Sequence, residues 1–382
     1  MAESTKKPVS GETGDEVLVP PRCADFRRPV VSILGLPFDA VTLADAVVRV
    51  REAAFSKRRC VVSTPNVNFV VAAHIDPEFR SSVLRSDLNL VDGMPLVWIA
   101  RLQGVSVPMR VAGSDLFEAL IEHPGPAMSV YFFGGPPGAA AAACQRVNRR
   151  AGGMHCVGFE SPGVETVEAL SSAQRIDRIN RSGAQFVVIA LGAKKGQAWI
   201  ERNASRLAAP VMSHLGAVVN FAAGSLRRAP EWMRRSGLEW LWRIKEEPQL
   251  WKRYWSDGLM LASVVATRVV PELLFAQGGR RAAATKVTVT SVRNSGETIL
   301  RLRGGWRDSN DLDELAHAFE VAAADQTCVV VELTDVTEAG NRFAALMLVA
   351  DGWFGSRGGF RVVGAGQEVV ASLRRMGVSL AH

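Results

Sequence analysis

Apolar, strand-like runs alternate with helix-like stretches over residues 30–214, and this β-to-α alternation predicts an α/β fold built on a Rossmann-like, doubly wound, mostly parallel sheet. Two changes of pattern follow. Residues 225–277 crowd tryptophan together with arginine and lysine, which predicts a helical, membrane-associating appendage. From residue 285 the alternation resumes for about 100 residues, enough for a small C-terminal α/β domain.

The elements can be placed in order. Residues 1–28 mix charge, Pro and Gly with little periodicity and read as a mobile tail. Within the main domain, 29–224, the short apolar runs 30–34, 59–63, 88–91, 129–133, 155–159, 186–191 and 211–214 read as strands. Helices are expected at 43–56, 66–74, 94–102, 114–122, the Ala-rich 139–149, 164–182 and 197–205. Five of the nine tryptophans, Trp232, Trp240, Trp242, Trp251 and Trp255, then fall among arginines and lysines, ahead of the apolar stretch 259–270. That composition suits an interfacial helix on anionic lipid and suits equally a helical lid with solvated arginines. The Gly-Gly-Arg-Arg-Ala stretch, 278–284, reads as a linker. Beyond it a hairpin turning at 294–296, strands at 328–333 and 360–363, and helices at 312–324, 342–350 and 368–376 complete the pattern.

Composition narrows the function. With 382 residues, 48% of them apolar, the chain can bury a sizeable core, and its net charge of +7 points to anionic partners: sugar nucleotides, lipid phosphates or nucleic acid. Five cysteines are scattered without CxxC or Cys/His spacing, which reads as reduced thiols in a cytosolic protein and gives no zinc site. No apolar run reaches the roughly 18 residues of a spanning helix, so membrane contact is expected to be peripheral.

The residues with chemistry to offer follow strands, where open α/β sheets build their sites. Asp92, ahead of Gly93, is placed to accept a proton from an attacking hydroxyl or, alternatively, to cap the helix beginning near Met94. Thr64 and Asn66 suit sugar hydroxyls or a pyrophosphate, and suit helix entry as well. Arg110 can grip a phosphate bidentately or pair with Asp115. Gly134 and Gly135, before the Ala-rich helix, and Gly192, Lys195 and Gln197, in a second strand–loop–helix unit, suit phosphate cradling without forming a GxGxxG or P-loop fingerprint.

The motifs STPNVNF (63–69), VDGMPLVW (91–98), RVAGSDL (110–116), YFFGG (131–135), ALGAKKGQAWI (190–200) and RRAPEWMRRSGLEWLWRIKEEPQLWKRYW (227–255) occur in an order that resembles the WecG/TagA/CpsF family of bacterial glycosyltransferases. The resemblance covers roughly two thirds of the chain. It implies an inverting transferase that needs no metal or other cofactor. Such an enzyme moves an N-acetylmannosamine-type or related sugar from a UDP donor onto a polyprenyl-diphosphate-linked sugar at the cytoplasmic face of the inner membrane, with no nucleic-acid partner. By motif, Asp92 matches the family's catalytic base, Thr64 and Asn66 its substrate-binding pair, and Arg110 its phosphate-side arginine. Arg228, Arg243 and Arg253 match the appendage arginines that would neutralise diphosphate.

Two departures stand out. Where the family usually has Gly-x-Pro-Lys-Gln-Glu, this chain reads Gly192-Ala193-Lys194-Lys195-Gly196-Gln197, so a glutamine that binds substrate is absent or displaced by one residue. The C-terminal domain, 285–382, resembles a STAS domain, with Thr337-Glu338-Ala339-Gly340 where such domains often carry a phosphorylatable Asp-Ser-Ser-Gly. Ala339 cannot be phosphorylated, so a binding or scaffolding role toward a protein partner is expected in place of a phospho-switch. The alternative for the whole chain is a non-catalytic scaffold that keeps the transferase fold.

Overall fold

The computed structural model describes residues 19–150, 152–222, 229–271, 273, 286–294, 296–307, 312–356 and 359–380. An antiparallel hairpin comes first, β1 (Val30–Ile33) and β2 (Leu36–Asp39). It turns at Leu34 and Gly35, both at positive φ. A leucine in that conformation and a proline inside β2 carry no sequence signature of a hairpin, which is why 30–34 reads as a lone strand.

Helix α1 (Leu43–Phe55) starts on a complete Thr42/Asp45 capping box and leads to β3 (Cys60–Ser63). Asn66 caps α2 (Val67–Ile75), and Asp76, followed by Pro77, caps α3 (Pro77–Leu84) ahead of the short β4 (Leu88–Asn89). Next come α4 (Met94–Leu102), α5 (Gly113–Glu122), β5 (Met128–Gly134), α6 (Ala139–Arg149) and β6 (Met154–Glu160). The helix expected at 164–182 is two, α7 (Val167–Leu170) and α8 (Ala173–Arg181), because the chain leaves helical geometry at Ser171 and Ser172. Strand β7 (Phe186–Ala190), α9 (Ala193–Asn203), β8 (Val211–His214) and α10 (Gly216–Ala222) complete this part.

Six strands pair in the order β4-β3-β8-β7-β5-β6, every pair parallel. The chain steps outward from β3 to β4 on one side and from β5 to β6 on the other, then fills the gap with β7 and β8. All six carboxyl ends share one edge, and the loops leaving β3, β4, β5, β7 and β8 emerge there.

The appendage forms α11 (Glu231–Arg235), α12 (Glu239–Glu246) and α13 (Trp251–Val264), the last continuing into a π-helical stretch, Val265–Val269. A second sheet, in the order β12-β11-β10-β9, comprises β9 (Thr288–Asn294), β10 (Glu297–Trp306), β11 (Cys328–Ala339) and β12 (Phe360–Val363), with β9 antiparallel to β10 and the other pairs parallel. Three helices serve it: α14 (Leu312–Ala324), α15 (Asn341–Phe354) and α16 (Gln367–Arg375). The linker expected at 278–284 and residues 1–18 lie outside the described residues.

This second sheet shares an apolar core with the hairpin and with α2, α3 and α4. At the seam, Asn341 donates to the Ser32 carbonyl (2.7 Å) and accepts from the Ser32 N–H (2.8 Å). Residues 19–28, assigned to the tail by composition, pack here: Phe26 is 3% exposed, stacks on Phe354 at 5.7 Å and lies 5.3 Å from Phe319. Since Phe26 fills a gap between helices, Phe26→Ala is expected to lower stability by about 3–5 kcal/mol in urea denaturation; an unchanged midpoint would mean the seam contributes nothing.

One expectation about cysteine is corrected. Cys144 on α6 and Cys156 on β6 are joined as a disulfide, while Cys23, Cys60 and Cys328 are free. The pairing comes from packing α6 against an edge strand, a tertiary contact between residues 12 apart that no CxxC spacing announces.

Candidate active site

Asp92 lies beyond β4 in the turn that enters α4. Its N–H donates to the Pro65 carbonyl (3.1 Å), tying the loop after β4 to the loop after β3. Gly93, not Asp92, occupies the cap position of α4, and no side chain caps that helix, so the capping role for Asp92 is not realised. Its carboxylate instead accepts from the Gly113 N–H, at the start of α5. Gly113 is confined between Leu215 and Thr64, with the Thr64 hydroxyl 3.2 Å from where a Cβ would stand. The loops after β3, β4 and β8 and the start of α5 therefore meet around Asp92.

Arg110 faces this carboxylate across 3.8 Å. The same guanidinium makes shorter bonds to Glu239 of α12 (2.6 Å) and Asp115 of α5 (2.9 Å), and Arg234 of α11 reaches Asp115 at 3.2 Å. Three carboxylates thus surround Arg110, which keeps only 11% of its side chain exposed. Of the two readings open for Arg110, the pairing with Asp115 is present, and Glu239 from the appendage joins it.

Desolvation pushes the Asp92 carboxyl up to about 7, with Arg110 and the Gly113 N–H opposing the rise and Glu239 and Asp115 adding to it. Its side chain nevertheless keeps 26% of its surface open. A carboxylate that changes protonation near neutrality and remains reachable can take a proton from a hydroxyl.

The other sequence-predicted residues divide. Asn66 is spent on its helix, its side chain accepting from the Phe69 N–H at 3.2 Å. Gly134 and Gly135 end β5 at positive φ, and the Gly135 N–H donates to Ala190 (2.8 Å); a Cβ on Gly134 would stand 2.7 Å from that same carbonyl, so only glycine admits this approach. Gly192 caps α9 with open space around it. Lys195 donates to the Glu165 carbonyl (2.8 Å), and Gln197, 2% exposed, donates to the Ser63 hydroxyl (2.5 Å) beneath the sheet edge. A side chain at Gly196 would collide with the His214 ring, which is a steric reason for glycine at the position where the resembling family carries glutamine.

Arg243 pairs with Glu247 (2.9 Å), and Arg253 lies over the Tyr254 ring at 5.4 Å. Both stand close enough to act on the Tyr254 hydroxyl, as does Glu239, so these arginines border the residue that holds Arg110. Arg228 lies outside the described residues. Sequence reasoning missed Glu239 and Arg234. The signal was an acidic residue in a segment otherwise read for its basic charge. Asp257, 7% exposed on α13, was likewise missed; it accepts from Asn68 on α2 (3.1 Å) and fastens α13 beside the site.

Residues 31–272 match the glycosyl transferase WecG/TagA/CpsF family. The chain is similar to the N-acetylglucosaminyldiphosphoundecaprenol N-acetyl-beta-D-mannosaminyltransferase of Bacillus spizizenii, at 27% identity over 206 residues that cover 54% of this chain and 77% of that protein. It is also similar to the protein of the same name from Bacillus subtilis strain 168, at 26% identity over 194 residues, 50% of this chain and 74% of its relative. With the match spanning more than half its length, this chain belongs to the WecG/TagA/CpsF family and is a glycosyltransferase.

Proposed function

We propose that this transferase moves an N-acetylmannosamine-type sugar from a UDP-sugar, with inversion and without a metal, onto a polyprenyl-diphosphate-linked N-acetylglucosamine at the cytoplasmic face of the inner membrane, for cell-surface polysaccharide. The observation that carries this reading is the Asp92 carboxyl, raised to about 7 and still open, on the edge where the strand loops converge. Support for the acceptor comes from the names of both relatives.

In the proposed step the acceptor hydroxyl attacks the anomeric carbon while Asp92 takes its proton. The bond from that carbon to the diphosphate oxygen breaks, and its electron pair leaves with UDP. One displacement from the opposite face inverts the centre. Negative charge growing on the diphosphate needs preorganised donors. The starts of α6 and α9, which follow Gly138 and Gly192 and carry no side-chain cap, offer first-turn backbone N–H groups, and Arg243 and Arg253 of the appendage are the candidate cations.

Among the described residues no helix is long and apolar enough to cross a membrane. The appendage instead exposes Trp232, Trp240, Trp251, Trp255, Leu241 and Leu259, an apolar array set among basic side chains that suits a lipid interface. In the same reading the six-stranded sheet is Rossmann-like and the C-terminal unit STAS-like. The first residue of α15, Asn341, is already bonded to Ser32, so a protein partner would use a different face.

Two measurements test the proposal. Purified protein given UDP-N-acetylmannosamine and a short-chain polyprenyl-diphosphate N-acetylglucosamine is expected to release UDP in chelator; no release with any UDP-sugar would overturn the assignment of a UDP-sugar donor. In flotation with phosphatidylglycerol vesicles, the Trp251→Ala/Trp255→Ala variant is expected to lose roughly 30-fold or more in binding, since burying each indole contributes over about 1 kcal/mol. Equal flotation of variant and parent would remove the membrane role from these helices.

A further inference from the structure

Glu239 belongs to the appendage, yet its closest bond goes to Arg110 in the body of the enzyme, at 2.6 Å through Nη1. That same Nη1 is the atom nearest Asp92, at 3.8 Å, beyond hydrogen-bonding distance. The second guanidinium nitrogen is held by Asp115, which also receives Arg234 from α11. Arg110 is therefore drawn off Asp92 by two other carboxylates, one on α5 and one carried by α12 of the appendage. Trp240 and Leu241, the next two residues of α12, are exposed, so the turn bearing Glu239 is also one that presents apolar surface outward. Gly237, just before α12, sits against Met94 and Trp98 of α4, the helix that Asp92 precedes.

We infer that Glu239 is a positioning residue for the transfer reaction: by holding Nη1 of Arg110 it keeps the guanidinium from neutralising Asp92, so that the base reaches full strength only with this appendage contact in place. This rests on the reading of Asp92 as the base. Hydrogen-bonded to Asp92 directly, Arg110 would stabilise its charged form and weaken it as a proton acceptor. Held by Glu239, it leaves the carboxylate with a high proton affinity, and the Glu239 charge adds to that affinity. The groups facing Asp92 are Arg110 and the Gly113 N–H, which lower its proton affinity, and Glu239 and Asp115, which raise it. Arg234 acts on it through Asp115, and the Tyr254 hydroxyl of α13 stands near Glu239.

The test is the pH dependence of kcat/KM with UDP-N-acetylmannosamine and the short-chain lipid acceptor for the parent, Glu239→Gln, Glu239→Asp and Asp92→Asn. Glu239→Gln keeps the shape and removes the charge. Its acid limb is expected to move to lower pH, and its plateau rate to fall roughly tenfold, less than the on the order of 100-fold lost with a positioned donor itself. Glu239→Asp retains the charge and is expected to bring the limb back toward the parent position. A Glu239→Gln limb that stays in place, with or without a lower rate, would overturn the inference and leave Glu239 a packing residue. Full turnover in Asp92→Asn would instead overturn the reading of the base beneath it, so the two failures are distinguishable.

Discussion

Asp92→Asn is expected to lower turnover by on the order of 100-fold to 10,000-fold, the usual contribution of a positioned base. The same variant is expected to be more stable than the parent at pH 8. In the unfolded chain this carboxyl titrates near its ordinary value of 3.8, and in the folded protein near 7. Between those values the folded state keeps a proton that the unfolded chain has released, so stability falls as pH rises through the window. The stabilising contribution is complete below about pH 4 and gone above about pH 7. Above it the parent holds an ionised, partly desolvated carboxylate, whereas asparagine carries no charge and can still accept the Gly113 N–H. A Tm higher by about 2–4 °C at pH 8, shrinking toward pH 4, is the expected signature. A variant that is inactive and also less stable at pH 8 would indicate that Asp92 supports the fold, and loss of activity would then say little about chemistry.

Arg110→Ala is expected to be the most damaging change to the fold at this site. It leaves Asp92, Asp115 and Glu239 gathered around the vacated position, with Arg234 still bonded to Asp115. Stranding one partner of a buried ion pair costs roughly 3–5 kcal/mol. The low end applies, because Asp92 and Glu239 each keep 26% of the side chain open to solvent. Without its cation the Asp92 carboxyl should rise further, so residual activity should need higher pH. Arg110→Lys is expected to recover only part of the loss, since one ammonium cannot reproduce a fork bonding Glu239 and Asp115 at once. Denaturation within 0.5 kcal/mol of the parent for Arg110→Ala would mean that the cluster is fully solvated.

Much of the body was legible because its signals are local. The apolar runs that became β3, β5, β6, β7 and β8 carry their own pattern, and the loops after them were placed correctly at the strand ends. The hairpin β1–β2 was not legible, as its turn uses Leu34 and its second strand contains Pro37. Packing of the second sheet onto that hairpin depends on long-range contacts, such as Asn341 with Ser32 and Phe26 with Phe354, which no periodicity encodes. Around the site the sequence identified Asp92, Thr64 and Arg110, each in a motif after or near a strand. It had no means of assigning Glu239 to Arg110, because 129 residues separate them. Gln197 illustrates the converse: its motif suited a substrate contact, while its depth beneath the sheet edge is decided by how α9 packs against β3.

The central claim is that Asp92 changes protonation near neutrality while serving as the base, and the pH dependence of kcat/KM for the parent enzyme tests it most directly. The account predicts a rate that climbs with pH through a midpoint near 7, where the carboxyl loses its proton. A rate already at its plateau at pH 5 would contradict it.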